Sequence, residues 1–251
     1  MRRLAAVGRA ELLLLARNRT AMFNAVLVPL LIAGFLAAGG EGADPAGTAR
    51  VVTGVLGFVL LSVLYYTLVS TYVARREDLV LKRLRVGTLT DPEILIGTAG
   101  PAAAVALGQM LLFVGTGAVL VGLPVPVNAP VMLAGVLGGV AVFMLLAAVS
   151  AAFTRTVELA QVTTLPVLLL CFAGAGVAVP LDALPSAVAG ALRWLPLAPV
   201  LDLVRLGWLG SPGKGVAGVL AEAARPAGLL LAWTVLGWVA VRRWFRWEPR
   251  R

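Results

Sequence analysis

Long runs of Val, Leu, Ala and Gly, almost free of charge, alternate along this chain with short polar stretches. An apolar run of about 20 residues matches what a helix needs to cross the ~30 Å hydrocarbon core of a bilayer. The pattern predicts six spans, at 21–38, 51–74, 94–123, 129–153, 157–179 and 226–241. Pro101 in the third is a candidate kink, and Pro166 lies within the fifth. The sixth is short unless its helix starts nearer Val216. The expected fold is an all-α polytopic membrane protein, one transmembrane domain over residues 1–251.

Three polar or mixed stretches modify that picture. In 1–20, Leu4, Val7, Leu12 and Leu15 are interleaved with Arg2, Arg3, Arg9, Arg17 and Arg19. This fits an amphipathic helix lying on the membrane surface, although a merely charged start to the first span fits too. The same charges leave no clean apolar core for a cleavable signal. In 180–209, two helix-like pieces present Leu184, Val188 and Leu192, then Leu201, Val204 and Trp208, with Pro196 and Pro199 between them. Both are too short and too charged to span, so short interfacial or partly re-entrant helices are expected on the outer side.

The third stretch, 75–93, reads RREDLVLKRLRVGTLTDPE, and nine of its nineteen residues are charged. Placing those charges in lipid would cost on the order of 25 kcal/mol, so the segment stays in water or headgroups. Its spacing predicts a helix over 75–86 with Val80, Leu81 and Leu84 on one face and Asp78 paired with Lys82. Gly87 suits the position after the helix end, and Thr90 with Glu93 forms a capping box that starts the third span.

Composition fits the membrane assignment: 60% of residues are hydrophobic and 13% charged. The net charge of +9 does not require a nucleic-acid partner, because the distribution of cations over the connections explains it. Sixteen Lys and Arg fall on one side of the six-span topology and five on the other. The positive-inside rule then places both termini and 75–93 in the cytoplasm, with the chain in the cell membrane. Trp244, Phe245 and Trp247 among the C-terminal arginines read as an interfacial anchor.

Candidate chemistry is sparse. The chain has no His and one Cys, Cys171, inside an apolar run, which leaves no intrachain disulfide and no zinc or Ser-His constellation. The only Gly-Lys pair, Gly213-Lys214, fails the phosphate-loop test, because Trp208 and Gly215 stand where a Gly and a Ser or Thr are needed. Arg155 and Glu158 are spaced for a surface ion pair. Asn24, Tyr65, Tyr66, Gln109, Gln161, Thr163 and Thr164 are polar residues within spans. They either hold helices together by hydrogen bonds or line a substrate path.

An ordered polar helix between two spans suggests a docking surface for a cytoplasmic partner, though a basic loop serving only topology is equally consistent. The stretches ELLLLARNRTAMFNAVLVPLLI, REDLVLKRLRVGTLTDPEILIG and LPLAPVLDLVR, in that order, resemble the ABC-2 family of ABC-transporter permeases, in its drug- and antibiotic-export branch. The resemblance implies six transmembrane helices after an amphipathic connecting helix at 1–20. It also implies short outer helices in 180–209 and a coupling helix within 75–93, seated in a groove of an ATPase subunit. The docking residues it implies are Arg76, Asp78, Leu81, Lys82, Leu84 and Arg85. No cofactor is expected on this chain; ATP and Mg belong to a separate cytoplasmic ABC ATPase, present in two copies. A second permease chain, identical or different, and an amphipathic or hydrophobic small-molecule substrate complete the expected assembly.

The rival readings are an ion-driven secondary transporter, a membrane enzyme and a non-transporting scaffold. The first needs titratable groups near the midplane, and no Asp, Glu, Lys or Arg lies near the middle of any expected span.

Overall fold

The computed structural model describes residues 45–120, 123–175, 184–211 and 213–248. The expected surface helix of 1–20 and the first span at 21–38, with Asn24, lie outside these residues. Everything regular within them is helical.

The second expected span is longer than its apolar core. Helix α1 (Pro45–Phe58) runs without a break into a π-helical segment (Val59–Tyr66) and then into α2 (Thr67–Glu77). Pro45 opens α1, where its missing N–H leaves no intrahelical bond unmade. After α3 (Val80–Val86), α4 (Asp91–Leu120) continues through Pro101. Helix α5 (Ala129–Phe153) starts at Asn128, whose side chain accepts from the Val131 amide at 3.2 Å. Helix α6 (Leu159–Gly174) has 16 residues, a length of about 24 Å and thus short of a full crossing. Helices α7 (Ser186–Leu192) and α8 (Leu197–Leu209) are bent 86° to one another. Helix α9 (Val216–Trp244) takes the earlier of the two starts weighed for the last span and passes through Pro226.

Among the described residues, four helical stretches are long and apolar enough to cross a bilayer: Val52–Glu77, Asp91–Val119, Ala129–Phe153 and Val216–Trp244. The bent α7–α8 pair makes a fifth if it is one broken span. Leu111, Val119, Val162, Leu169 and Leu231 are each more than 60% exposed. Such apolar faces are untenable in water and ordinary against lipid chains. The molecule is a multi-pass membrane protein.

Helix α8 does not lie along the surface; with α7 it forms a bent pair, which the re-entrant alternative for 180–209 allows. It packs against α1, α5 and α9, and Leu197, Val200, Leu201, Leu203, Val204 and Trp208 are all buried. Close approach requires small residues. A Cβ on Gly207 would lie 2.3 Å from the Met132 backbone nitrogen, and one on Gly135 would lie 2.9 Å from Leu203 Cβ. Backbone bonds finish the contact: the Asn128 amide donates to the Gly207 carbonyl (2.8 Å) and the Val127 amide to the Trp208 carbonyl (3.1 Å). Trp208 Nε1 donates to the Pro124 carbonyl at 2.8 Å. An apolar helix too short to span is thus enclosed by neighbouring helices, which supply the environment its length cannot.

Candidate functional site

The polar segment after α2 is structured throughout, but not as the single helix its spacing predicts. Helix α2 stops at Glu77, and Leu79 adopts φ 59°, ψ 13°. A left-handed conformation costs a non-glycine residue about 1 kcal/mol, so the surroundings must hold it there. The Leu79 amide bonds the Arg76 carbonyl (3.1 Å), and the Leu79 carbonyl accepts from the Arg83 amide (3.0 Å) to begin α3. Gly87 does follow the helix end, but with φ −78° and ψ −157°, extended backbone that makes no use of glycine's freedom. The chain reversal therefore falls at Leu79.

That break also cancels the expected Asp78–Lys82 pair, since the two residues no longer share one helix. Lys82 Nζ instead meets Glu248 at 2.9 Å, in the C-terminal tail. Arg85 holds Asp91 through two contacts, of 3.1 and 3.4 Å, and lies 5.0 Å over the Trp247 ring. Trp247 stacks edge-on with Phe245 (5.0 Å), and Phe245 with Tyr72 (6.0 Å). Of the three aromatics read as a membrane anchor, Trp247 thus lies against the polar helix and Phe245 against α2, whereas Trp244 remains exposed beside Phe153. At the start of α4 the Thr90 amide and hydroxyl both donate to the Glu93 carboxylate at 2.8 Å. This is the glutamate half of the capping box.

Arg76 and Leu81 are buried, Leu84 is half-buried, and Asp78, Lys82 and Arg85 are exposed. Arg76 is used inside the protein. Its Nη1 donates to the Ala151 carbonyl at 2.7 Å, and its Nη2 to the carbonyls of Thr154 and Arg155. The last carbonyls of a helix lack intrahelical donors and carry the negative end of its dipole. A buried guanidinium is a fitting cap, because its rigid fork reaches several acceptors at once. Further bonds join α2 to α4: Tyr72 Oη donates to the Leu95 carbonyl (3.0 Å) and Arg75 Nη1 to Thr98 Oγ1 (3.4 Å). Helix α3 is consequently a short basic element, bearing exposed Lys82, Arg83, Arg85 and Val86, fastened to the ends of α2 and α4 and, through Lys82, to the C-terminal tail.

The family model described as ABC-2 type transporter matches residues 2–208. The chain belongs to the ABC-2 type transporter family. No curated protein matches it significantly. An ABC-2 chain is the membrane component of a transporter, generally not itself catalytic, and membership implies an ABC ATPase as partner.

The polar residues within the spans of this ABC-2 permease do not converge on one site. Tyr65, in the π-helical segment, is buried; its hydroxyl pairs with Ser150 Oγ at 2.9 Å and its ring stands edge-on to Phe143 at 6.2 Å. Tyr66 is half-buried. Thr164 is buried and donates to the Ala160 carbonyl of its own helix at 2.7 Å. Gln161 and Thr163 lie exposed near the start of α6, with Thr163 bonded to Thr154 at 2.8 Å. Gln109 Oε1 is buried without a hydrogen-bond donor among the described residues. The expected Arg155–Glu158 pair does not form; Glu158 accepts a hydrogen bond from Thr156, which holds its carboxyl below the usual carboxylate range. Among the described residues no group of His, Cys, Asp and Glu could hold a metal ion.

Proposed function

We propose that this permease subunit serves an ATP-driven exporter of amphipathic or hydrophobic small molecules, of the drug- and antibiotic-export kind, in the plasma membrane. The observation that carries the reading is the bracing of α3. A loop serving only topology has no need of a buried arginine at the end of α2, a strained left-handed residue and ion pairs to α4 and to the C-terminal tail. A lever does, because force applied to a slack loop would not reach the spans.

In this reading two copies of a cytoplasmic ATPase dock beneath a pair of permeases, identical or different, each with six transmembrane helices and cytoplasmic termini. The exposed face of α3, with Lys82 and Arg85, and Asp78 just before it meet the ATPase; Leu81 and Leu84 hold the helix to the bundle behind it. Closure of the ATPases around ATP and Mg pushes α3. The Arg76 contacts carry the displacement to the end of α5, and the Arg85–Asp91 pair carries it to α4. Tilting of these helices opens the path outward. Val, Leu and aromatic walls suit an amphipathic cargo, and Tyr66, Gln109, Gln161 and Thr163 are the span residues best able to meet its polar part.

The test is co-purification with the partner ATPase and ATP-driven export from vesicles. Arg83→Glu combined with Val86→Asp alters only exposed positions of α3. It is expected to lower ATPase recovery at least tenfold at unchanged membrane insertion. Undiminished recovery refutes the docking assignment, and transport driven by an ion gradient without ATP refutes the exporter reading.

A further inference from the structure

The chain stays on the protein after α9 ends. Phe245, extended at φ −63°, ψ 131°, sets its ring edge-on to Tyr72 of α2. Trp247 lies with the Arg85 guanidinium 5.0 Å over its ring, and Glu248 pairs with Lys82 at 2.9 Å. Residues 245–248 therefore lie along α3 and the end of α2. Both aromatics are half-buried, while Arg246 between them is exposed. Aromatic rings at the end of a spanning helix ordinarily anchor it among headgroups; these two are spent on protein instead.

This seating makes α3 and the tail one surface. Lys82 and Arg85 belong to the proposed ATPase-facing side of α3, and the tail engages both. A body that reaches these two side chains also reaches Glu248 and Trp247. Together, 80–86 and 242–248 hold six cations, Lys82, Arg83, Arg85, Arg242, Arg243 and Arg246, and one carboxylate, Glu248. Glu248 matches Lys82, and Asp91 matches Arg85. Arg83 and Arg246 are exposed, and among the described residues neither forms an ion pair with a carboxylate. One belongs to the helix and the other to the tail, so the unmatched charge is divided between the two.

We propose that the ATPase meets α3 and the C-terminal tail together, as one basic platform, through a groove whose carboxylates face Arg83 and Arg246. Opposite charges of this kind steer the encounter and fix its register. The inference rests on the docking role of α3 proposed above and adds a second element to it.

The test is binding of the purified full-length permease, in neutral detergent without lipid, to the P-loop ATPase isolated with the wild-type protein. Arg246→Glu is expected to raise Kd about fivefold at unchanged Tm, with Arg246→Lys close to wild type. Added salt should narrow the gap between Arg246→Glu and wild type; a gap indifferent to salt overturns the charge pairing. Arg83→Glu should raise Kd by a similar factor. If Arg83→Glu weakens binding and Arg246→Glu does not, the tail arginine serves the headgroups; the platform falls and the docking role of α3 stands. If neither weakens binding, both fall. A loss with Arg246→Glu alone takes α3 out of the contact and overturns the platform too. Tighter binding of Arg246→Glu overturns it as well, because the tail would then shield α3. Hydrogen exchange of the wild-type complex needs no variant. Added ATPase is expected to slow the amides of Val80–Val86 and of 245–248 together, and protection of either one alone overturns the proposal.

Discussion

Arg76 is buried at the end of α2 and donates from Nη1 to the carbonyl of Ala151, in the last turn of α5, at 2.7 Å. Seventy-five residues separate the two in sequence. This one side chain joins the spanning helix that precedes the polar segment to the end of another and to the connection leading into α6.

Removing it should therefore loosen that corner of the molecule. Arg76→Met leaves helix-terminal carbonyls buried without their donor, a loss of about 2–4 kcal/mol for hydrogen bonds to a charged group. Arg76→Lys keeps the charge but not the fork, and should recover about half. Thermal unfolding in detergent measures both; equal Tm values for wild type and Arg76→Met would show that the cap carries no stability.

The crossing of α8 and α5 depends on the missing side chain at Gly207. A Cβ there would meet the backbone nitrogen and Cα of Met132 at 2.3 and 2.7 Å, and backbone cannot turn aside as a side chain can. Gly207→Ala should destabilise by about 2–3 kcal/mol or prevent correct insertion. Gly190→Ala is the matched control, since nothing lies within 4 Å of its would-be Cβ. The comparison is read as folded yield after detergent extraction, and similar yields would disprove the close-packing account.

Tyr65 and Ser150 offer a measurable hydrogen bond between spans. Tyr65→Phe and Ser150→Ala should each lower stability by about 0.5–1.5 kcal/mol, the range found for polar pairs inside membranes. Because the hydroxyls are each other's partners at 2.9 Å, the double variant should cost little more than either single one. Fully additive losses in a double-mutant cycle would mean the bond contributes nothing.

The C-terminal tail should matter more for order than for stability. The Lys82–Glu248 pair is exposed on both sides, and such pairs contribute about 0–1 kcal/mol; the Arg85–Trp247 contact adds about 0.5–1 kcal/mol. Trp247→Ala combined with Glu248→Gln should leave Tm within a few degrees of wild type. Amide hydrogens of Val80–Val86 should nevertheless exchange several-fold faster. Unchanged exchange would show that the tail does not brace α3.

The sequence by itself determined that the chain lives in a membrane and where most of its helices run. Apolar length decides spanning, and 129–153 coincides with α5 end to end because both of its ends carry local signals, Asn128 as cap and Thr154 after the last turn. The capping pair Thr90–Glu93 was legible for the same reason, since its geometry involves residues only three apart. The location of the polar segment also followed from local cost, because charges in lipid are prohibitive whatever the fold.

What only the tertiary structure decided were relationships between distant residues. Periodicity within 75–86 gives no sign of the Leu79 reversal, so Asp78 and Lys82 read as partners. Nor does it say which of five cations turns inward, as Arg76 does, while Lys82 and Arg85 find Glu248 and Trp247 some 160 residues on. Helix α8 is the clearest case: length and charge leave an interfacial and a re-entrant placement open, and glycines on α5 and on α8 itself let it pack closely against its neighbours. Local sequence sets the cost of a helix standing alone, whereas burial is set by the neighbours that enclose it.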